Sequence, residues 1–165
     1  MIPLVLTILG PNHPTTVTDV SSLVAAHGGS WNESRLVTLA GRFAGVVKVT
    51  VPESEEQPLL DALEAMDGVR FLWERGDDSP DPIAVHQVEI TCTDRPGIVR
   101  DVTAAVVAHD GQLERFRTEY HAAPMSGGVL FYARMRVRVA AIEALREALM
   151  GIADDLLVDV RELPT

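Results

Sequence analysis

The sequence predicts an α+β protein made of two tandem units, each with the element order β-α-β-β-α-β. Three observations lead there. The first is an internal repeat: His13-Pro14-Thr15-Thr16-Val17-Thr18-Asp19-Val20 is matched by Arg95-Pro96-Gly97-Ile98-Val99-Arg100-Asp101-Val102 at an offset of 82 residues. From His13 to Arg35, nine of 23 positions are identical to their partners in the second copy, where composition alone would give about one or two. The second is hydrophobic periodicity, which switches between two and three-to-four in the same order in both halves. The third is Gly76-Asp77-Asp78-Ser79-Pro80-Asp81-Pro82, a polar segment with a glycine and two prolines that cannot build a core and reads as a linker. The expected divisions are residues 1–75, a linker at 76–82, and residues 83–165.

Each element has a local reason. Leu4, Leu6 and Ile8 alternate with Val5, Thr7 and Leu9, and Val88, Ile90 and Cys92 alternate with Glu89 and Thr91; both runs read as strands, with Cys92 facing the core. A proline-containing loop follows in each half. Val17, Val20 and Val24, and Ile98 or Val99 with Val102 and Val106, recur at helical spacing. Pro14 and Pro96 are expected in the first turn of these helices, where the missing N–H is tolerated. Gly28-Gly29 and Asp110-Gly111 are expected to end them. Two strands come next, with Phe43–Val51 matched to Val129–Val137 at an offset of 86. That offset implies four extra residues in the second half, within a longer turn at 122–128. Ser54-Glu55-Glu56-Gln57 has the form of a capping box before Leu59, Leu60, Leu63 and Met66. Ile142, Leu145, Leu149 and Ile152 form the counterpart stripe. Val69–Trp73 and Leu156–Val160 are the closing strands. The result is the split ferredoxin-like arrangement, an antiparallel sheet with two helices on one face. Each unit has a thin core, so two units or two chains are expected to associate, giving a homodimer.

Composition narrows the function classes. The chain is 47% hydrophobic and 23% charged, which is globular rather than disordered. No apolar run reaches the length of a membrane helix. Met1-Ile2-Pro3-Leu4 lacks a charged leader, the pattern expected of a cytoplasmic protein. The net charge of −10 disfavours direct nucleic-acid binding, which needs a basic footprint. Eight of those negative charges fall in residues 53–82, which hold ten acids and two bases. The plainest reading of that run is a solvated helix face and an acidic linker. Cys92 is the single cysteine, so an intrachain disulfide and a multi-thiolate zinc site are both excluded.

Asp94-Arg95-Pro96-Gly97-Ile98-Val99, after a strand and opening a helix in a βαββαβ unit, resembles the signature of ACT domains, small modules that bind amino acids and regulate metabolism. Both halves carry the pattern. Two such modules in tandem resemble the glycine cleavage system transcriptional repressor family, and Ser34-Arg35-Leu36 in the second strand adds to the likeness. Asn12 and Thr15 replace the acid and the glycine in the first half. Ser30 and Gln112 stand where members often carry asparagine. The resemblance implies a ligand site at Asp94, Arg95, Pro96, Gly97, Ile98 and Val99, with Gln112 at its edge and a weaker equivalent at Asn12, His13 and Thr15.

The residue types suit that chemistry. A helix N-terminus presents unpaired N–H groups and partial positive charge, which fits a carboxylate. Gly97 lets a ligand approach the backbone, Asp94 can accept from an ammonium, and Arg95 can pair with a carboxylate. The plainer alternative is a strand-to-helix turn in which proline and glycine only set geometry. His27 and His109 are expected to complement helix C-termini rather than bind metal, and no cofactor is implied. Asp19 and Asp101 are expected to stabilise helix starts. Arg134, Arg136 and Arg138 share one strand face, which Arg115 and Arg117 are expected to join unless a bulge changes their side. That face is either solvated and paired with nearby acids, or it meets an acidic partner, for example residues 53–82 of another copy. No Ser-His-Asp or Cys-His arrangement can be argued from spacing. The expectation is therefore a non-catalytic protein that senses glycine or another amino acid and acts on a protein partner, in transcriptional regulation. The alternative is a ligand-free dimerisation or interaction module.

Overall fold

The alternation of Leu4, Leu6 and Ile8 makes β1 (Ile2–Pro11) a strand whose one face is buried. The computed structural model describes residues 1–77, 82–122 and 128–163. After β1 come α1 (Thr16–Ala26), β2 (Ser30–Leu39), β3 (Arg42–Val51), α2 (Glu56–Glu64) and β4 (Arg70–Arg75). The order repeats as β5 (Val85–Thr93), α3 (Ile98–Ala108), β6 (Gln112–Ala122), β7 (Val129–Arg138), α4 (Ile142–Met150) and β8 (Leu157–Glu162). The chain divides into two units, Met1–Ser79 and Pro80–Thr165. Four residues of the expected linker, 78–81, lie outside the described residues.

Each unit is a four-stranded antiparallel sheet, ordered β2-β3-β1-β4 and β6-β7-β5-β8. One face of each sheet packs on the unit's two helices. In the first, Leu4, Leu6, Val47 and Val49 meet Val20, Val24, Leu59 and Leu63. In the second, Ile90, Cys92, Phe131 and Met135 meet Val102, Val106, Leu145 and Leu149. Cys92 faces the core as its alternation requires.

Both first helices end as their sequences indicate. Gly28 and Asp110 adopt left-handed φ values of 67° and 55°. The N–H groups of Gly29 and Gly111 donate at 2.9 Å to the carbonyls of Val24 and Val106, closing the six-to-one bond of a Schellman cap.

Four local expectations differ from the structure. Pro14 and Pro96 lie in the turn before each helix, not in its first turn, because the helices begin at Thr16 and Ile98. Thr16 and Ile98 consequently fill the first core position, and Val17 and Val99 point outward. The capping box at Ser54 does not form. Glu53–Glu55 make a 3-10 turn, and α2 starts beyond it with no side-chain cap. The third strands match at an offset of 88, since Leu4 pairs with Val49 and His86 with Val137. Leu39 and Arg42 are paired across two intervening residues, His121 and Leu130 across eight, so six residues are inserted rather than four. Most of that turn, 123–127, lies outside the described residues.

Candidate functional site

The loop between β5 and α3 is positioned from both sides. The Asp94 N–H donates to the Val129 carbonyl at 2.9 Å, and the Thr93 N–H donates to the Asp155 carboxylate at 2.8 Å. Gly97 is the N-cap of α3, with φ 88° and no side-chain capping bond. The left-handed φ explains the glycine, since a side chain there is strained. A β-carbon would otherwise meet only the guanidinium end of Arg100, at 3.1 Å. Close approach of a ligand is therefore not needed to account for Gly97.

Charges cluster around this loop. Arg95 pairs with Asp101 at 2.9 Å, and Arg100 reaches the other oxygen of the same carboxylate at 2.8 Å. Asp94 is exposed, and its carboxylate accepts no hydrogen bond from the described residues. The first-turn N–H groups of Val99 and Arg100 find no acceptor there either, as at any uncapped helix start. Pro96 is exposed, and Ile98 is buried in the core beneath. The loop thus presents an unpaired carboxylate, a half-exposed guanidinium and free backbone donors.

Asp101 does more than complement a helix dipole. Hydrogen bonds from Arg100 and then Arg95 hold its carboxyl below the ordinary carboxylate range. Asp155, which no pattern in the sequence singles out, is lowered by its bonds with Thr93 and by the nearby Arg95. A lowered folded-state value means the charged forms stabilise the loop above the ordinary carboxylate value of about 4. That contribution disappears as pH falls through the lowered values. Acidification from about pH 6 to about pH 3 should therefore lower Tm, and Asp101→Asn should flatten that dependence in thermal melts.

The first unit fills the equivalent loop with its own side chains. Thr15 donates its hydroxyl to Asp19 at 2.7 Å and lies 3.0 Å from His13 Nδ1. Its φ is −92°, so the two loops differ in backbone as well as in side chain. Asn12, His13 and Thr15 are exposed, and Asn12 makes one long contact of 3.4 Å with Thr38.

Gln112 is not brought to the loop within its own unit. It pairs with Arg138, which pairs with Val85 at the start of β5, whereas Asp94 follows the end of that strand. The nine-residue strand puts them roughly 25–30 Å apart.

His27 Nδ1 lies 2.9 Å from Glu55, and His109 Nδ1 lies 2.8 Å from the Ala105 carbonyl. Among the described residues no cluster of three or more His, Cys, Asp or Glu is placed to hold a metal. Among the described residues no helix is long and apolar enough to cross a membrane.

The arginine question is decided by a bulge. The β6–β7 register shifts between Leu113 and Arg115, so Arg115 lies opposite Arg136 and Arg117 opposite Arg134. All lie on the sheet face away from the helices. The first unit has the same irregularity between Trp31 and Glu33.

No curated protein matches the sequence. Residues 3–67 match the ACT domain family. Among solved structures, an unknown protein from Galdieria sulphuraria superposes with a TM-score of 0.88 over 99% of this chain and 99% of that chain, at 23% identity. A candidate glycine cleavage system transcriptional repressor superposes with a TM-score of 0.68 over 99% of this chain and 98% of that chain, at 17% identity. The fold is that of two tandem ACT-like units.

Proposed function

We propose that this chain is a non-catalytic regulatory protein that binds a free amino acid at the Asp94–Val99 loop and alters contact with a protein partner. The observation that carries this reading is the difference between the two helix-start loops. Thr15 and Asp19 bond to each other in the first unit. The second leaves the Asp94 carboxylate uncommitted beside Arg95 and the free donors of α3. A free amino acid requires both charges to be met: Asp94 suits the ammonium, and the α3 N-terminus with Arg95 suits the carboxylate.

Glycine or another small amino acid fits such a loop. The match of residues 3–67 to ACT domains and the shared fold with a candidate transcriptional repressor support a regulatory role, which we place in transcriptional regulation by a cytoplasmic homodimer. The second reading is a ligand-free dimerisation module. It is favoured at the first unit, where the loop satisfies itself.

Calorimetric titration with the twenty amino acids separates the two. One of them should bind, and Asp94→Asn should weaken it at least about tenfold, the loss expected for one charge-assisted hydrogen bond. Thr15→Ala should leave that affinity unchanged. Heat from none of the twenty would favour the interaction module. Asp94→Asn is a cleaner probe than any change at Gly97, because the left-handed backbone makes a side chain there costly irrespective of ligand.

A further inference from the structure

The outer face of the second sheet carries more positive charge than the unit neutralises. Strand register puts Arg115, Arg117, Arg134, Arg136, Arg138 and Arg161 on or beside one surface. Four of them have acids of their own. Arg134 pairs with Glu89, Arg117 with Glu119, Arg161 with Asp159 and Arg138 with Glu114. Arg115 and Arg136 have no acidic partner among the described residues, and they stand directly opposite each other across β6 and β7. Like charges in that position destabilise a sheet. Nothing in the fold of the unit accounts for the pair.

The first unit carries the opposite surplus beside its edge strand β4. Glu64, Asp67 and Glu74 have no cationic partner among the described residues. Glu64 and Glu74 line a groove of about 470 Å³ together with Phe71, Leu72 and Trp73. Trp73 is 40% exposed and Leu72 is 73% exposed. Trp73 pairs with Leu6 on the helix side of the sheet, where Glu64 of α2 also lies, and Glu74 pairs with Val5 on the outer side. The edge strand thus offers a guanidinium one carboxylate on each side, with the Trp73 indole open to cation–π contact on the helix side.

We infer that Arg115 and Arg136 of one copy dock into the Glu64–Glu74 groove of a second copy. In a two-fold dimer the contact is made twice, each copy giving its arginines and receiving its partner's. Charge complementarity selects this occupant. A polyanion such as nucleic acid would meet a chain of net charge −10, whereas an acidic groove on the same protein is present at equal concentration. The inference supplies the contact for the homodimer in the reading above. The amino-acid titration tests the sensor separately, so failure of one is distinguishable from failure of the other.

Sedimentation of the full chain tests it. The wild type should dimerise, and more weakly at about 0.5 M salt than at about 0.05 M, because screening shortens the reach of these charges. Arg115→Glu/Arg136→Glu and, separately, Glu64→Arg/Glu74→Arg should each weaken self-association at least tenfold while retaining the wild-type circular dichroism spectrum. An equimolar mixture of the two variants should recover the dimer, since each now complements the other. Arg115→Gln/Arg136→Gln, which removes charge without reversing it, serves if a reversal variant fails to fold and should also weaken association tenfold. The inference is overturned by a wild type that stays monomeric into the high-micromolar range, by variants that dimerise like the wild type, or by a mixture that does not recover. Loss of duplex oligonucleotide binding in the arginine variant with self-association unchanged would assign the face to nucleic acid and overturn it equally.

Discussion

Replacing Phe131 with alanine is expected to destabilise the second unit by about 3–5 kcal/mol. Phe131 is the largest fully buried side chain among the described residues. It sits on β7, flanked by Tyr120 of β6 and Cys92 of β5. Its ring meets that of Tyr120 edge-on, with centroids 5.9 Å apart, a geometry that adds to the area term. Truncation removes the buried ring and leaves a cavity that strands held in register on both sides cannot close. The sequence provides the readout. Both tryptophans, Trp31 and Trp73, lie in the first unit. In urea, tryptophan fluorescence follows that unit alone, and far-UV circular dichroism follows both. The dichroism transition of the variant should gain an early phase relative to the tryptophan transition. A shift worth less than about 1 kcal/mol, small against the usual cost of such truncations, would mean that the site collapses around the missing ring.

Gly45→Ala is expected to cost about 1–3 kcal/mol, the range for forcing atoms into a filled site. Gly45 lies on β3 opposite Leu36 of β2 and Ile8 of β1. A β-carbon there would overlap the Arg35 carbonyl oxygen and the Leu36 side chain. The carbonyl is backbone and yields only if the β2–β3 pairing shifts. The second unit carries Ala133 at the equivalent place, opposite Thr118. Its shorter threonine leaves room that Leu36 does not. Adding Leu36→Thr to Gly45→Ala should therefore recover part of the loss, and the carbonyl contact should keep the recovery incomplete. Urea midpoints from tryptophan fluorescence measure both variants against the wild type. Full recovery would make Leu36 the whole cause of the clash.

The element order was legible in the chain because hydrophobic period is a local property. The run Leu4, Leu6, Ile8 and its counterpart Val88, Ile90, Cys92 announce strands with one buried face, and the 82-residue repeat doubles every such signal. Helix ends at Gly28-Gly29 and Asp110-Gly111 were legible for the same reason, since the left-handed cap is a single-residue requirement. The loop signature at Asp94–Val99 falls in the turn between β5 and α3. What it could not convey was the contact pattern there. Asp155 comes from a segment 62 residues beyond Thr93, and no spacing rule joins them. The Arg95–Asp101 pair and the left-handed backbone at Gly97 depend on how α3 meets the sheet. Gln112 begins the strand after α3, and only the strand order shows that it lies at the far end of the sheet. The arginine face turns on a single residue of register. Without the bulge between Leu113 and Arg115, the pleat would send Arg115 and Arg117 to the helix side. Local pattern encodes which face of an element is apolar and where a helix ends, but strand register is set by partners distant in sequence, and register fixes which charges meet.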